Sequence, residues 1–273
     1  MVNRIKPAAP MLIGIVLAVF LIILALCAPL IAPNDPLKVA MANTLQKPSA
    51  DFPLGTDQLG RCVLSRLLYG ARTSLGVTCL VLLITVFIGT VIGTVSGLFA
   101  GKLPDKLLTA FCEIVLAFPG LILALVISGL LGPGIVNVML AIALVSWARY
   151  ARVVRSLVIS IREADYMKAA KVSGTDGLHL VTRHILPNIG GAVGTVAVTD
   201  IGSTILKFAG LSFIGLGAQA PEAEWGMMIN EARLYMAKMP ELILYPILAV
   251  TISVFAFQLI SDGLRDRLDD KSQ

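Results

Sequence analysis

Charge is the first thing this 273-residue sequence lacks: Asp, Glu, Lys and Arg make up 14% of it, against 57% hydrophobic residues. A soluble domain carries about a quarter charged residues, so too little polar material is present to dress a water-facing surface. Aromatic residues are scarce as well, at 6%. The two histidines, His179 and His184, fall in one polar stretch, which excludes a Ser-His-Asp constellation and a histidine-lined metal path. None of the four cysteines, Cys27, Cys62, Cys79 and Cys112, stands in C-x-x-C spacing, and three lie in apolar runs where a thiol behaves as a small hydrophobe. Neither a disulfide framework nor a metal cluster is expected. A Walker A loop is missing too: the nearest match, around Gly101-Lys102, lacks the first glycine and the final hydroxyl. Segments of about ten residues with alternating polarity, the mark of a transmembrane barrel, do not occur.

What is present is a series of long apolar runs rich in glycine, with 24 in all. The reading is an all-α integral membrane protein with six transmembrane helices, at about 11–32, 73–100, 107–131, 135–157, 189–213 and 242–261. Residues 1–10 form an N-terminal segment, 11–262 the transmembrane domain and 263–273 a charged tail. Arg4 and Lys6 precede the first run, which outlasts the roughly 7–15 apolar residues of a signal peptide and is expected to be a retained span. Cys27 follows Leu26 rather than a small residue, so a lipoprotein site is rejected. Pro33, Pro36, Pro48 and Pro53 break the chain that follows into an extramembrane loop. Within residues 59–69, Leu59, Val63, Leu67 and Leu68 oppose Arg61 and Arg66, the pattern of an amphipathic helix lying at the interface. In the second span Gly89, Gly93, Gly97 and Gly101 recur every four residues, a small-xxx-small row for close contact with another span or a partner.

Lys and Arg favour one side of this arrangement by roughly two to one, which places both termini and the segment 158–188 in the cytoplasm. Residues 163–188 are the one long polar interruption on that side. Tyr166, Ala169, Ala170 and Ser173 fall at helical spacing, Gly174 is a natural helix stop, and Asp176 can cap a second short helix running to the breaker Pro187. The small alanines admit close approach of another backbone, so the elbow reads as a docking knob.

Ionisable residues inside spans are costly and often functional. Glu113 precedes Phe118-Pro119, where a proline bends the span; it is either pore-facing or at the headgroup level. Asp200 lies deeper, flanked by Thr199, Ser203 and Thr204, as a gate or a polar helix contact. Lys207, two turns on, lies on the same face and either pairs with Asp200 or snorkels outward. In the second outer loop Glu222, Glu224 and Trp225 precede Met228, Ala232, Tyr235 and Met236 at helical spacing. Thioether ligation is set aside there, because methionine at that spacing is ordinarily packing.

Ala169-Ala170, Gly174 and Leu186-Pro187 resemble the EAA loop of the membrane-spanning subunits of ABC importers, with Lys168 and His184 departing from the usual glutamate and isoleucine. Three stretches, 53–75, 211–233 and 262–269, look like the dipeptide/oligopeptide/nickel permease family, specifically its shorter C-type partner. The resemblance covers nearly the whole chain. It implies a type I importer permease fold in a bacterial inner membrane, with a coupling helix at Tyr166, Ala169, Ala170, Gly174, Leu186 and Pro187. It also implies a homologous permease partner and two cytoplasmic ATPase subunits that bind ATP and Mg. No cofactor is expected on this chain, and no catalytic residue. An extracytoplasmic binding protein would dock through Glu222, Glu224 and Trp225. Residues 220–236 and 144–160 look closer to nickel and metal-chelate importers than to peptide importers. A stand-alone secondary transporter or channel is the competing class; it predicts inverted repeats or paired broken helices, and no duplication is visible.

Overall fold

A computed structural model of the chain describes residues 8–167 and 177–269. Ala169, Ala170 and Gly174 of the expected coupling elbow lie outside the described residues. The elements are helices: α1 (Ala8–Ile31), α2 (Val63–Leu98), α3 (Leu103–Ala117), α4 (Gly120–Leu131) and α5 (Ile135–Arg162). They continue with α6, a single run Gly177–Phe213, then α7 (Trp225–Ala232) and α8 (Glu241–Asp269). Five of these are long and apolar enough to cross a membrane, and α3 with α4 makes a sixth if the bent pair is one span.

Helix α2 is 36 residues long, about 54 Å at the standard rise, and starts ten residues before the expected span. The stretch from Val63 is therefore the head of α2 and not a separate interfacial helix. The reason lies in its arginines: Arg61 and Arg66 are only 0% and 1% exposed, because carboxylates elsewhere in the chain draw that polar face inward. The glycine row then sets how α2 packs. A Cβ on Gly89 would stand 2.3 Å from the Cβ of Tyr150, one on Gly93 2.5 Å from the carbonyl oxygen of Ala151, and one on Gly97 2.7 Å from the Cβ of Val158. Three turns of α2 thus run against three turns of α5 in parallel, backbone to backbone. The contact is with another span of the same chain. Gly101 is not part of it: nothing lies within 4 Å, and its φ of +82° serves the turn into α3.

The bend expected in the third span at Phe118-Pro119 is a full break. Helices α3 and α4 meet at 90°. Pro119 has no N–H to continue the ladder, and Phe118 before it is extended, with φ −93° and ψ 144°. At the other proline the opposite holds: Pro187 does not end a helix. The π turn Val181–Ile185 precedes it, loosening the backbone so that the 37-residue α6 continues through the proline.

Antiparallel contacts tie the remaining spans together. Gly14 of α1 meets the carbonyl of Ala256, and Gly263 of α8 meets Met11. Thr199 of α6 shares a 2.8 Å hydrogen bond with Ser261 of α8, and Gly202 packs on Val254. These pairings bring the start of α1, the ends of α2, α5 and α8, and the start of α6 to one end of the bundle. Loops 32–62 and 214–240 meet at the other.

Candidate functional site

Where α2, α5 and α6 surround the α3–α4 break, a cavity of about 160 Å³ opens among Thr85, Phe118, Ser146, Arg149, Asp200 and Lys207. Arg149 sits midway along α5, and its Nη1 donates to Oδ1 of Asp200 at 2.7 Å across the helix interface. The carbonyl oxygen of Asp200 accepts from Ser203 Oγ at 3.0 Å and Thr204 Oγ1 at 2.8 Å, which holds this turn of α6 in place. The buried hydroxyl of Tyr150 lies close to Asp200 without a hydrogen bond of good geometry. Lys207 lines the same cavity.

Of the two alternatives for Lys207, pairing with Asp200 or snorkelling outward, the ion pair is not made. Seven residues put the two about 10 Å apart along the axis of α6, whereas Arg149 reaches Asp200 from the facing helix. Arg149 is not among the residues the sequence reading singled out. Its position at mid-helix, well before Arg155 and Arg162, was the available signal. Glu113 is not brought to this cavity. It is exposed on α3 and lines a separate small hollow with Cys112, Arg152 and Arg155.

Near that hollow a second cluster binds α5 to the α2–α3 corner. The Asp105 carboxylate takes two bonds from Arg155, 2.6 Å from Nε and 2.8 Å from Nη2, and one of 2.6 Å from Ser96 Oγ. Arg162 donates to the carbonyl of Leu98 at 2.8 Å, satisfying an open acceptor at the end of α2. The end of α5 is thereby bolted to its neighbour just before the chain enters the polar segment. On that segment Tyr166 and Leu178 are exposed at 48% and 78%, while Met167 and Ile185 are fully buried. Leu186 is half-buried and Pro187 exposed.

At the opposite end, loop 32–62 and α7 lock together. Arg61 bridges Asp57 at 2.6 Å and Glu231 at 2.7 Å, and Arg66 reaches Glu231 at 2.9 Å. Glu224 caps α7, accepting from the N–H groups of Gly226 and Met227 at 2.9 Å each and from Ser74 Oγ at 2.9 Å. Burial pushes its carboxyl above the usual range, against the pull of those donors. Trp225 donates from Nε1 to the carbonyl of Leu67 at 3.0 Å. Glu224 and Trp225 are 0% and 1% exposed, so of the three residues expected to face a docking protein only Glu222 is presented at the surface. The other two are consumed in folding: the tryptophan ring gains by leaving water, and the Glu224 carboxylate is held inside by the donors it caps, against the cost of its burial. Glu222 borders an open hollow of about 680 Å³ with Asn34, Tyr69 and Ile135.

A bundle of apolar helices, with one broken span beside a charged internal cavity, defines a multi-pass membrane permease. Residues 89–272 match the family of binding-protein-dependent transport system inner membrane components, and the chain belongs to that family. The dipeptide transport system permease protein DppC of Alkalihalophilus pseudofirmus is 38% identical over 260 residues, covering 95% of this chain and 85% of the relative. The nickel transport system permease protein NikC of Escherichia coli K12 is 40% identical over 257 residues, covering 94% and 92%. The glutathione transport system permease protein GsiD of Escherichia coli O157:H7 is 40% identical over 254 residues, covering 93% and 84%. The chain is thus a permease subunit of an ABC importer, of the dipeptide/oligopeptide/nickel family, and in that family ATP hydrolysis belongs to separate subunits.

Proposed function

We propose that this permease forms half of a translocation path with a homologous permease, and that two cytoplasmic ATPase subunits drive it through segment 163–188. The observation that carries the reading is the bracing around that segment. Arg155 and Arg162 clamp the helix entering it to α2 and α3, and the helix leaving it runs unbroken into the Asp200 cavity. A push on the segment therefore reaches the cavity through rigid elements. Exposed Tyr166 and Leu178 present apolar contact to an ATPase, with Ala169, Ala170, Gly174, Leu186 and Pro187 completing the coupling surface. Helix α6 leaves Gly190, Gly191 and Gly194 with nothing within 4 Å, which suits close approach of the partner permease.

The Lys and Arg bias orients the segment and both termini to the cytoplasm of a bacterial inner membrane. Glu222 and the hollow beside it then face an extracytoplasmic binding protein. Asp200, Lys207 and Arg149 line the path, and Glu113 lies nearer its inner mouth. The cargo is a small hydrophilic solute, a di- or oligopeptide or a nickel or metal chelate; the relatives are named for dipeptide, nickel and glutathione. Affinity purification from detergent-solubilised membranes tests the assignment. ATPase subunits should accompany the tagged chain, and Gly174→Leu should release them while leaving the spans inserted. Solute movement by this chain alone, in vesicles without ATP, would refute it.

A further inference from the structure

The cavity at the α3–α4 break holds one more cation than anion. Arg149 and Asp200 satisfy each other at 2.7 Å. Lys207, half-buried on the same lining, has no ion pair within 4 Å among the described residues. A desolvated ammonium without an ion pair is costly in a membrane protein, and the carboxylate on its lining, Asp200, is already held by Arg149. We propose that the missing partner is a carboxylate of the cargo, received by Lys207 and by the free edge of Arg149. The inference rests on the permease assignment and adds the chemical group that the path reads.

Donor and acceptor counts point the same way. Arg149 commits Nη1 to Asp200 and leaves other guanidinium donors on a side chain 54% exposed. Lys207 supplies three donors. The one carboxylate on the lining is already engaged. Such a lining welcomes an acceptor-only group and repels a bare divalent cation, so a metal would enter only inside an anionic chelator. The volume of about 160 Å³ holds about five waters. That suits a carboxylate head, with the rest of the cargo outside the cavity. Its hold is weak by design, because a path must release what it binds.

The test is fluorine NMR line broadening of trifluoroacetate by the importer purified with its co-purifying subunits, with trifluoroethanol as the neutral control. Trifluoroacetate should broaden and trifluoroethanol should not. Lys207→Gln should weaken the binding roughly tenfold, as expected for loss of a charge-assisted contact, and Lys207→Arg should keep it within about threefold. Displacement by dialanine but not by dialanine amide assigns the carboxylate to a peptide terminus; displacement by nickel citrate assigns it to a chelator. Equal displacement by dialanine and its amide, or none by dialanine and nickel citrate, would overturn the proposal, as would undiminished broadening with Lys207→Gln. If that variant does not fold, the wild-type competition decides alone. Absence of ATPase subunits from the same sample would sink the permease assignment instead, so the two failures are distinguishable.

Discussion

Replacing Gly93 by alanine puts one methyl group at the tightest kind of helix contact. Its Cβ would stand 2.5 Å from the carbonyl oxygen of Ala151, where ordinary contact begins at 3.4 Å, so α2 and α5 must part locally by about 0.9 Å. A gap of that size forfeits a quarter to a half of the dispersion well for each atom pair it opens. Overpacking of this kind costs about 1–3 kcal/mol. Alanine's better helix propensity returns about 1 kcal/mol, so a net loss of up to about 2 kcal/mol is expected. Gly76 supplies the control: it lies on the same helix with nothing within 4 Å, and Gly76→Ala should stabilise by up to about 1 kcal/mol. Unfolding of the detergent-purified chain can be followed by tryptophan fluorescence, since Trp147 stacks on Phe111 with ring centroids 5.6 Å apart beside this interface. Gly93→Ala should unfold before wild type and Gly76→Ala after it. If Gly93→Ala proved as stable as Gly76→Ala, the backbone-to-backbone reading of the α2–α5 contact would be wrong.

The buried network between loop 32–62 and α7 should be more sensitive still: Glu231→Gln leaves Arg61 and Arg66 short of a counter-charge and should cost about 3–5 kcal/mol, read as a lowered unfolding midpoint. Glu224 gives a pH signature. Its folded carboxyl titrates above the ordinary value of about 4.3, so the folded state binds more protons and stability falls as pH rises through that titration. Unfolding midpoints from pH 4 upward should decline more steeply for wild type than for Glu224→Gln; parallel declines would contradict the burial argument. Arg155→Lys loses the two-pronged grip on Asp105 and should weaken the α5–α3 clamp. Reduced coupling of ATP hydrolysis to uptake, with the ATPase subunits still attached, is the expected result.

Much of this was legible in the residues. The apolar runs announce the helices, because a backbone in lipid must satisfy its own hydrogen bonds. The glycine spacing announces a close contact, and Phe118-Pro119 announces a bend. What the one-dimensional pattern did not carry was the partner of each polar group. Arg61 and Arg66 look like the water face of an interfacial helix until Glu231, far along the chain, is brought beside them. Glu224 and Trp225 look like surface residues until Ser74 and the Leu67 carbonyl turn them inward. Asp200 sees Lys207 along one helix, yet its counter-charge comes from another.

Composition and periodicity by themselves therefore determined the membrane class, the helical state and the approximate spans. These follow from local hydrophobicity and backbone hydrogen bonding, which depend on neighbours in sequence. Tertiary structure alone decided which charges are paired, which glycines face a neighbour and that Lys207 lines a cavity whose one carboxylate is held by Arg149. Those outcomes depend on distances of a few ångströms between helices, and Coulomb and packing energies at that range are set by residues remote in the chain.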